Sequence, residues 1–386
     1  MSNNVYLMSA ARTPVGSFQG ALSTLSAPEL GAHAVQAALA QSDVSTDQIG
    51  EVILGNVVSA GLKQAPARQA MRLAGLPDGV GATTINKVCG SGMKAAMLAS
   101  DLIRAGSAQC IVAGGMESMS NAPYVLQKAR AGLRMGHADM KDTLFLDGLE
   151  DAETGNSMGS FAQQTADEYQ LSREAMDAYA TESVIRARKA IENQSLSSEI
   201  APIKINDVVV SDDEQPGRAK LDKIPSLRPA FKADGTITAA NSSSISDGGS
   251  ALVLASETLL DGRTPLAQIV GHATHSIHPS EFTIAPVGAI QTLADNIGWD
   301  LNDVDLFEIN EAFAMVTMLA IQELGLDHAR VNIYGGACAQ GHPIGSTGSR
   351  LIVTLAHALK ATGGRKGIAA LCIGGGEATA IALERS

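Results

Sequence analysis

Short apolar runs and longer segments with helical periodicity follow one another along the first part of the chain. Short apolar runs, such as VYLMSA at residues 5–10, predict strands. The segment SAPELGAHAVQAALAQS predicts a helix, because Ser26 and Glu29 stand in capping-box spacing and Pro28 lies in the first turn. This alternation indicates an α/β fold with a largely parallel sheet. The strands predicted here are 5–10, 51–58, 81–88 and 108–115, and the helices are 26–42, 66–74 and 93–104.

The pattern becomes irregular after residue 118 and returns to strands and helices near residue 250. The middle part is richer in charge and methionine, yet it predicts helices at about 159–169 and 173–193, the second with Ser172 as its N-cap. Beyond it we predict strands at 250–256, 266–276, 304–310 and 366–376, and helices at 286–297, 311–325 and about 346–361. The predicted parts are an N-terminal half at 1–118 completed by about 251–266, a loop domain at 119–250 and a C-terminal half at 267–386.

The two regular parts of the chain resemble each other. In the first, CGSG at 89–92 begins a helix, and the following strand ends in VAGGMES. In the second, GHPIGSTGS at 341–349 begins a helix, and the following strand ends in CIGGGEA. This repeat predicts an internal duplication, in which two halves packed about a pseudo-dyad bring both glycine turns to one cleft.

Composition and charge narrow the classes of function. Hydrophobic residues make up 45% of the chain and charged residues 18%, which is enough apolar material for a large buried core. The formal net charge of −12 argues against binding to nucleic acid or to an anionic membrane surface. No apolar run approaches the roughly 20 residues of a membrane span. One basic stretch, at residues 217–232, is either a solvated loop or a local patch for an anionic small molecule.

The four cysteines, Cys89, Cys110, Cys338 and Cys372, lie far apart in the sequence. Because no CxxC pair occurs, we expect neither a disulfide framework nor a metal site, and a reducing cytoplasm is the expected location. The N-terminal sequence also lacks the basic region and apolar block of a secretion signal.

Cys89 stands between a strand that ends near Val88 and a helix that starts near Ser91. A free thiol has a pKa near ~8.5, and the unpaired N–H groups of a helix N-terminus stabilise its thiolate. Gly90 and Gly92 permit a sharp turn and a close approach of a substrate to the backbone. These features make Cys89 a candidate nucleophile, and the alternative is a buried structural cysteine.

A nucleophilic cysteine needs a base, and the histidines differ in their surroundings. His342 lies between a glycine and a proline in a loop that precedes a helix, which favours a functional role. In contrast, His272, His275 and His278 fall on a predicted strand or at its exit, where sheet or surface positions are expected.

Two further motifs end predicted strands. Cys372 precedes three glycines whose N–H groups could hold an oxyanion, at the strand end where α/β folds place their sites. Asn310 follows another strand and is placed to donate a side-chain hydrogen bond. The next residue, Glu311, is expected either to cap the following helix or to hold the loop.

These motifs together resemble the signature blocks of a known family. NKVCGSGMKA, GGMESMS, NEAFA, GGACAQGHPIGSTGSR and CIGGG are similar, in this order, to blocks of the thiolases, and among them of the acetyl-CoA C-acetyltransferases. The resemblance runs from ARTPVGSFQG to the C-terminal strand. It implies a duplicated fold with a layered α-β-α-β-α core and an inserted loop domain.

The resemblance also implies roles for individual residues. Cys89 would accept an acyl group from one acyl-CoA, with His342 removing the thiol proton, and Cys372 would deprotonate the methyl group of a second acetyl-CoA. One oxyanion hole maps to His342 and a water held by Asn310. The other uses the N–H groups of Cys89 and Gly374. Coenzyme A thioesters are then the substrates, and neither a metal nor a tightly bound cofactor is expected.

Contacts with coenzyme A follow from the same likeness. Ser243 would lie near the pantetheine, and Arg218 near the nucleotide phosphates. The second position favours the interpretation of the basic stretch as a patch for an anionic small molecule. The residues implied to line the channel are Leu149, Met158, Ala312 and Phe313.

Two departures from the family leave the substrate open. Ser157 stands where many relatives have histidine, and Phe282 and Thr283 replace a Met-Gly pair over the acyl pocket. The alternatives are a degradative 3-ketoacyl-CoA thiolase for longer or 2-methyl-branched chains and, from another class, a non-catalytic protein of this fold that binds CoA or lipid. The family also implies a homodimer or homotetramer.

Overall fold

The computed structural model describes residues 4–385. Within this range the strands are β1 (Val5–Arg12), β2 (Gly16–Ser17), β3 (Glu51–Gly55), β4 (Gly81–Ile85), β5 (Cys110–Ser118), β6 (Tyr124–Leu126), β7 (Met140–Asp142), β8 (Ile203–Ile205), β9 (Val208–Val210), β10 (Ser246–Ser256), β11 (Ala267–Ser276), β12 (Leu306–Ile309), β13 (Lys366–Ile373) and β14 (Glu377–Glu384). The α-helices are α1 (Ala27–Ser42), α2 (Pro66–Leu73), α3 (Ser91–Arg104), α4 (Met158–Glu168), α5 (Arg173–Glu192), α6 (Glu214–Arg218), α7 (Ala285–Ile297), α8 (Ala314–Leu324), α9 (Ala337–Gln340) and α10 (Thr347–Thr362).

Most predicted elements are confirmed within a few residues, and their caps explain where they begin. The Ser26–Glu29 capping box starts α1, and the Ser172 hydroxyl accepts a hydrogen bond from the N–H of Ala175 at the start of α5. Helix α8 is an exception, since it begins at Ala314 rather than at Glu311. The short helices α6 and α9 were not predicted.

The main sheet of the described chain has the strand order β4-β3-β5-β10-β1-β11-β14-β13-β12, with β2 pairing β10. The prediction of a largely parallel sheet is wrong. Only the pairs β3–β4, β3–β5 and β12–β13 of this sheet are parallel, and its other pairs are antiparallel. One reason is that β14 follows β13 after the three glycines Gly374–Gly376, and so short a connection reverses the chain direction.

The order of pairings is the same in the two halves of this sheet. From the edge inward, β4–β3 and β3–β5 are parallel, and β5–β10 and β10–β1 are antiparallel. In the second half, a bridge joins Val331 in parallel to Phe307 of β12, β12–β13 is parallel, and β13–β14 and β14–β11 are antiparallel. This repeat agrees with the predicted duplication, whereas the boundaries at residues 118, 250 and 266 stay predictions.

Five layers result from this arrangement. Helices α3 and α10 form the middle layer, and their apolar residues, such as Met93 and Leu351, pack on strands of both halves in one continuous core. Helices α1 and α2 cover the outer face of the first half, and α7 and α8 cover that of the second. Residues 347–359 of α10 are all buried, which suits a helix enclosed on every side. In the part described, no helix is long and apolar enough to cross a membrane.

Candidate active site

A cavity with a volume of about 430 Å³ lies where α3 begins and β13 ends. Of the residues singled out from the sequence, it is lined by Cys89, Leu149, Ser157, Met158, Ser243, Phe282, Ala312, Phe313, His342 and Gly374. Cys372, Asn310 and Arg218 do not line it. The structure therefore brings together motifs that lie up to 285 residues apart, the interval from Cys89 to Gly374 (374 − 89).

The turn that carries Cys89 is strained and tightly held. Val88 has a φ of +47°, a conformation that β-branched residues rarely adopt and that is often found next to functional groups. The Lys87 N–H donates to the Ser91 hydroxyl at 2.8 Å, and this hydroxyl donates to the Val88 carbonyl at 2.7 Å. A Cβ at Gly90 would lie 2.3 Å from Ile373, so glycine is required where the turn meets the end of β13.

Burial dominates the electrostatics of Cys89. Although its side chain faces the cavity, burial raises the pKa of the thiol to about 11, and the N–H groups of Gly374 and of Cys89 itself only partly oppose this shift. The helix N-terminus alone therefore does not produce a thiolate at neutral pH, contrary to what the position of Cys89 before a helix suggested. Ionisation of Cys89 requires a base that acts together with the substrate.

His342 is held in the form that such a base requires. Its Nδ1 lies 2.6 Å from the Thr347 hydroxyl, which itself donates to the Pro343 carbonyl at 3.0 Å. The Thr347 oxygen thus accepts a hydrogen bond from the Nδ1–H group, and Nε2 keeps its lone pair. Burial, reinforced by the charge of Arg350, lowers the pKa of His342 to about 3. At neutral pH the imidazole is therefore uncharged, and its buried Nε2 has no hydrogen-bond partner among the described residues.

Cys372 lies in the wall behind the cavity. It is fully buried near the end of β13 and packs in one apolar cluster with Met158 and Phe313, both of which line the cavity. Burial raises the pKa of its thiol well above the usual value, and the proximity of Cys89 raises it further. The Cys89 sulfur is therefore near enough to influence the ionisation of Cys372.

Asn310 and Glu311 follow β12 and differ in their hydrogen bonds. The Asn310 side chain is buried, and neither its oxygen nor its nitrogen has a partner within residues 4–385, so both are free to hold a water. The Glu311 carboxylate instead accepts hydrogen bonds from Tyr179, Ser183, Asn332 and the N–H of Cys338. Of the two expected roles, Glu311 thus holds the loop, and α8 begins beyond it.

Two family models together cover nearly all of the chain. The thiolase N-terminal domain matches residues 5–258, and the thiolase C-terminal domain matches residues 263–385. The chain belongs to the thiolase family.

Individual relatives match this thiolase over their whole length. Acetyl-CoA acetyltransferases of Pseudomonas aeruginosa and Escherichia coli are 46% and 45% identical, each with 99% of both chains covered. Among solved structures, the Acat5 thiolase of Ascaris suum in complex with coenzyme A has a TM-score of 0.95 at 42% identity, covering 99% of this chain and 100% of that chain. Human mitochondrial 3-ketoacyl-CoA thiolase in complex with CoA has a TM-score of 0.96 at 36% identity, with 100% and 98% covered.

One buried carboxylate of this thiolase was given no role from the sequence. Glu117 accepts hydrogen bonds from the Asn56 amide (2.7 Å) and from the N–H groups of Val57 (3.0 Å), Val58 (3.2 Å) and Gly345 (2.9 Å). Burial raises its pKa to about 7. It ties the His342–Gly345 loop to the segment after β3. The sequence feature that could have indicated a role for Glu117 is its place in the GGMESMS block, at the end of a buried strand.

The residues expected to contact coenzyme A lie in two environments. Ser243 lines the cavity, and its N–H donates to the Ala312 carbonyl at 2.9 Å. The side chain of Arg218 is 59% exposed, and its guanidinium lies 2.8 Å from Glu214. A phosphate at Arg218 would have to compete with this carboxylate. Among residues 4–385, no group of three or more His, Cys, Asp or Glu side chains is arranged to hold a metal ion.

Proposed function

We propose that this thiolase is an acetyl-CoA acetyltransferase, which condenses two molecules of acetyl-CoA to acetoacetyl-CoA and CoA and catalyses the thiolytic reverse. The observation that carries the proposal is a single cavity lined by Cys89, by His342, whose buried Nε2 has no partner among the described residues, and by Gly374, with Cys372 in its wall. Relatives named acetyl-CoA acetyltransferase, aligned over full length, support the substrate.

In the first step, His342 Nε2 takes the thiol proton of Cys89 as its sulfur attacks the carbonyl of acetyl-CoA. The N–H groups of Cys89 and Gly374 hold the oxyanion, and each such donor contributes about 3–4 kcal/mol. The C–S bond to CoA then breaks, and the CoA sulfur takes up the proton of Cys372. The products are acetyl-Cys89, CoA, a Cys372 thiolate and a protonated His342.

In the second step, the Cys372 thiolate removes a proton from the methyl group of a second acetyl-CoA. The enolate oxygen is held by His342 and by a water on Asn310, and the carbanion attacks the carbonyl of acetyl-Cys89 in a Claisen condensation. The C–S bond to Cys89 breaks, and the sulfur takes its proton back from His342. Both thiols and the imidazole thus return to their initial states, without a metal or a tightly bound cofactor.

One alternative differs in the acyl group that the enzyme accepts, and the other lacks catalysis. Leu149, Met158, Phe282 and Phe313 give the cavity an apolar lining, which a longer or branched acyl chain would also fit. The similarity to human 3-ketoacyl-CoA thiolase supports that alternative at 36% identity, whereas relatives named acetyl-CoA acetyltransferase reach 46%. A non-catalytic protein would not need Cys89, His342 and Cys372 together. The two-carbon substrate is therefore preferred.

The substrate proposal predicts a rate order. With CoA as the acceptor, kcat/KM should be highest for acetoacetyl-CoA and fall by about 10-fold or more for 3-ketoacyl-CoAs with long chains. The measurement follows loss of the 3-ketoacyl-CoA absorbance, with 2-methylacetoacetyl-CoA as a third substrate. A higher kcat/KM for a long-chain substrate would support the degradative alternative, and the absence of any turnover by folded, CoA-binding protein would support a binding protein.

We also propose that the protein is a homodimer or a homotetramer of the cytoplasm. Strand β4 ends the sheet of the described chain with one free edge, and native proteins cover such edges. The β6–β7 hairpin and its loop expose Met135 (95%) and Met140 (70%), which supports a further contact between dimers. The four free cysteines suit a reducing compartment such as the cytoplasm. Fractionation of cells would test this location.

Sedimentation equilibrium should therefore give the mass of a dimer or a tetramer. If the hairpin joins dimers, the variant Met135→Glu/Met140→Glu should sediment as a dimer with unchanged secondary structure, because buried charges without partners oppose association. Glu153→Gln, a change at another exposed loop residue, is the control that should leave the mass unchanged. A monomeric wild type would contradict the proposal.

A further inference from the structure

Two turns carry the groups that surround the reacting carbonyl in the proposed mechanism. Lys87 lies two residues before Cys89, and Glu377 directly follows the three glycines Gly374–Gly376 as the first residue of β14. The Lys87 Nζ lies 2.5 Å from the Glu377 Oε2. An ion pair therefore joins the nucleophile turn of one half to the glycine turn of the other.

The Lys87 end of this connection is rigid. Its N–H donates to Ser91, whose hydroxyl donates to Val88, so that the backbone on both sides of Cys89 is fixed by hydrogen bonds. Ser91 is also the first residue of the buried helix α3. Movement of the Lys87 backbone relative to Cys89 is thus restricted, and the lysine side chain extends from a fixed reference point toward Glu377.

The glycine end needs such a reference. Three consecutive glycines have more conformational freedom than any other tripeptide, and Gly375 and Gly376 adopt left-handed φ values of +88° and +86°. Gly374, whose N–H faces Cys89, lies between Ile373 and Glu377, which pair with each other and so anchor both ends of the turn. The Gly376 carbonyl accepts from the N–H of Ile277 at 2.7 Å, which holds the far end further.

The Glu377 side chain adds contacts to these backbone restraints. Its Oε1 accepts a hydrogen bond from the Ser276 hydroxyl at 3.3 Å, while Oε2 receives the Lys87 ammonium. The two side chains are only 21% and 32% exposed, so water screens their attraction less than that of an open surface pair.

We propose that the Lys87–Glu377 ion pair is a positioning device that holds the N–H of Gly374 against Cys89 and keeps the two thiols in register. The proposal rests on the roles proposed above for Cys89, Gly374 and Cys372. Lys87 and Glu377 contact no reacting atom in this scheme. They act through the two turns that they connect, and their effect should appear in kcat rather than in the binding of acyl-CoA.

The test is a charge-swap cycle. Lys87→Met and Glu377→Gln each remove one charge, and Lys87→Glu/Glu377→Lys restores the pair with reversed polarity. Each single variant should lower kcat for condensation by about 10-fold, because a small displacement of an oxyanion donor is costly, with KM for acetyl-CoA nearly unchanged. The swapped variant should recover most of the loss. Arg72→Met, which breaks an open surface pair with Asp78, is the matched control and should retain the wild-type kcat.

Alkylation of Cys89 by iodoacetamide and thermal unfolding complete the experiment. Single variants that fold, alkylate at the wild-type rate and lose kcat support a positioning role. Wild-type kcat in both single variants would overturn the proposal, and so would additive losses in the swapped variant. A wild-type enzyme without thiolase activity would instead refute the proposed function, so the two failures are distinguishable.

Discussion

Cys89→Ala is expected to abolish both condensation and thiolysis, with kcat reduced by about 10,000-fold or more. In the proposed mechanism every acyl group passes through this sulfur, and no other thiol of the described chain lines the cavity. With its pKa raised to about 11, the thiol is almost entirely protonated at neutral pH, so its reactivity depends on concerted proton transfer to His342. The variant should therefore form no labelled acyl-enzyme from radioactive acetyl-CoA.

The control for Cys89→Ala is Cys110→Ala, which removes another thiol from the same chain. Cys110 is buried in the core beneath α1 and α2, on the far side of its sheet from α3. Cys110→Ala should reduce the free energy of unfolding by about 1–2 kcal/mol and leave acyl-enzyme formation intact. Acyl labelling of Cys89→Ala at another residue would contradict the assignment of the nucleophile, provided that the variant still binds CoA.

Local pattern predicted the helices and strands, because caps, periodicity and β-branched runs act within a few residues. The strand directions could not be read in the same way. β10 and β14 lie antiparallel to β5 and β13 because of where the chain returns to the sheet, and this depends on contacts between residues far apart in sequence. Strand β14 was not predicted for a simpler reason: its sequence, EATAIALE, is rich in alanine, which does not favour strands.

The candidate site was predictable where a motif stands at a strand end or helix start, as for Cys89 and His342. The sequence could not show how strongly burial opposes the local N–H dipoles in setting a pKa. The position of Cys89 before α3 suggested a lowered pKa, yet desolvation outweighs the N–H groups. Nor could it reveal that Glu117 meets Gly345 at 2.9 Å, since this contact exists only once the halves pack. The Arg218–Glu214 pair, in contrast, joins residues four apart on α6, a spacing that the sequence does show.

Cys372→Ala should separate the two steps of the reaction. Condensation is expected to fall by about 1,000-fold or more, because the variant lacks the base that removes the methyl proton. Burial raises the pKa of the Cys372 thiol, which makes its thiolate a stronger base for a weakly acidic C–H group. Acetyl-Cys89 should still form, since Cys89, His342 and Gly374 remain, and a proton from water can replace that of Cys372 on the leaving CoA.

Exchange of methyl protons provides the decisive measurement for Cys372→Ala. In deuterium oxide the wild type should incorporate deuterium into acetyl-CoA, detected by mass spectrometry, whereas Cys372→Ala should not, although both become acetylated by radioactive acetyl-CoA. Cys338→Ala is the control, because Cys338 lies beside Glu311 and does not line the cavity. Deuterium exchange that continues in Cys372→Ala would show that another residue is the base. Loss of acetylation would instead show that water cannot replace the proton that Cys372 gives to the leaving CoA in the first step, and that Cys372→Ala does not separate the two steps.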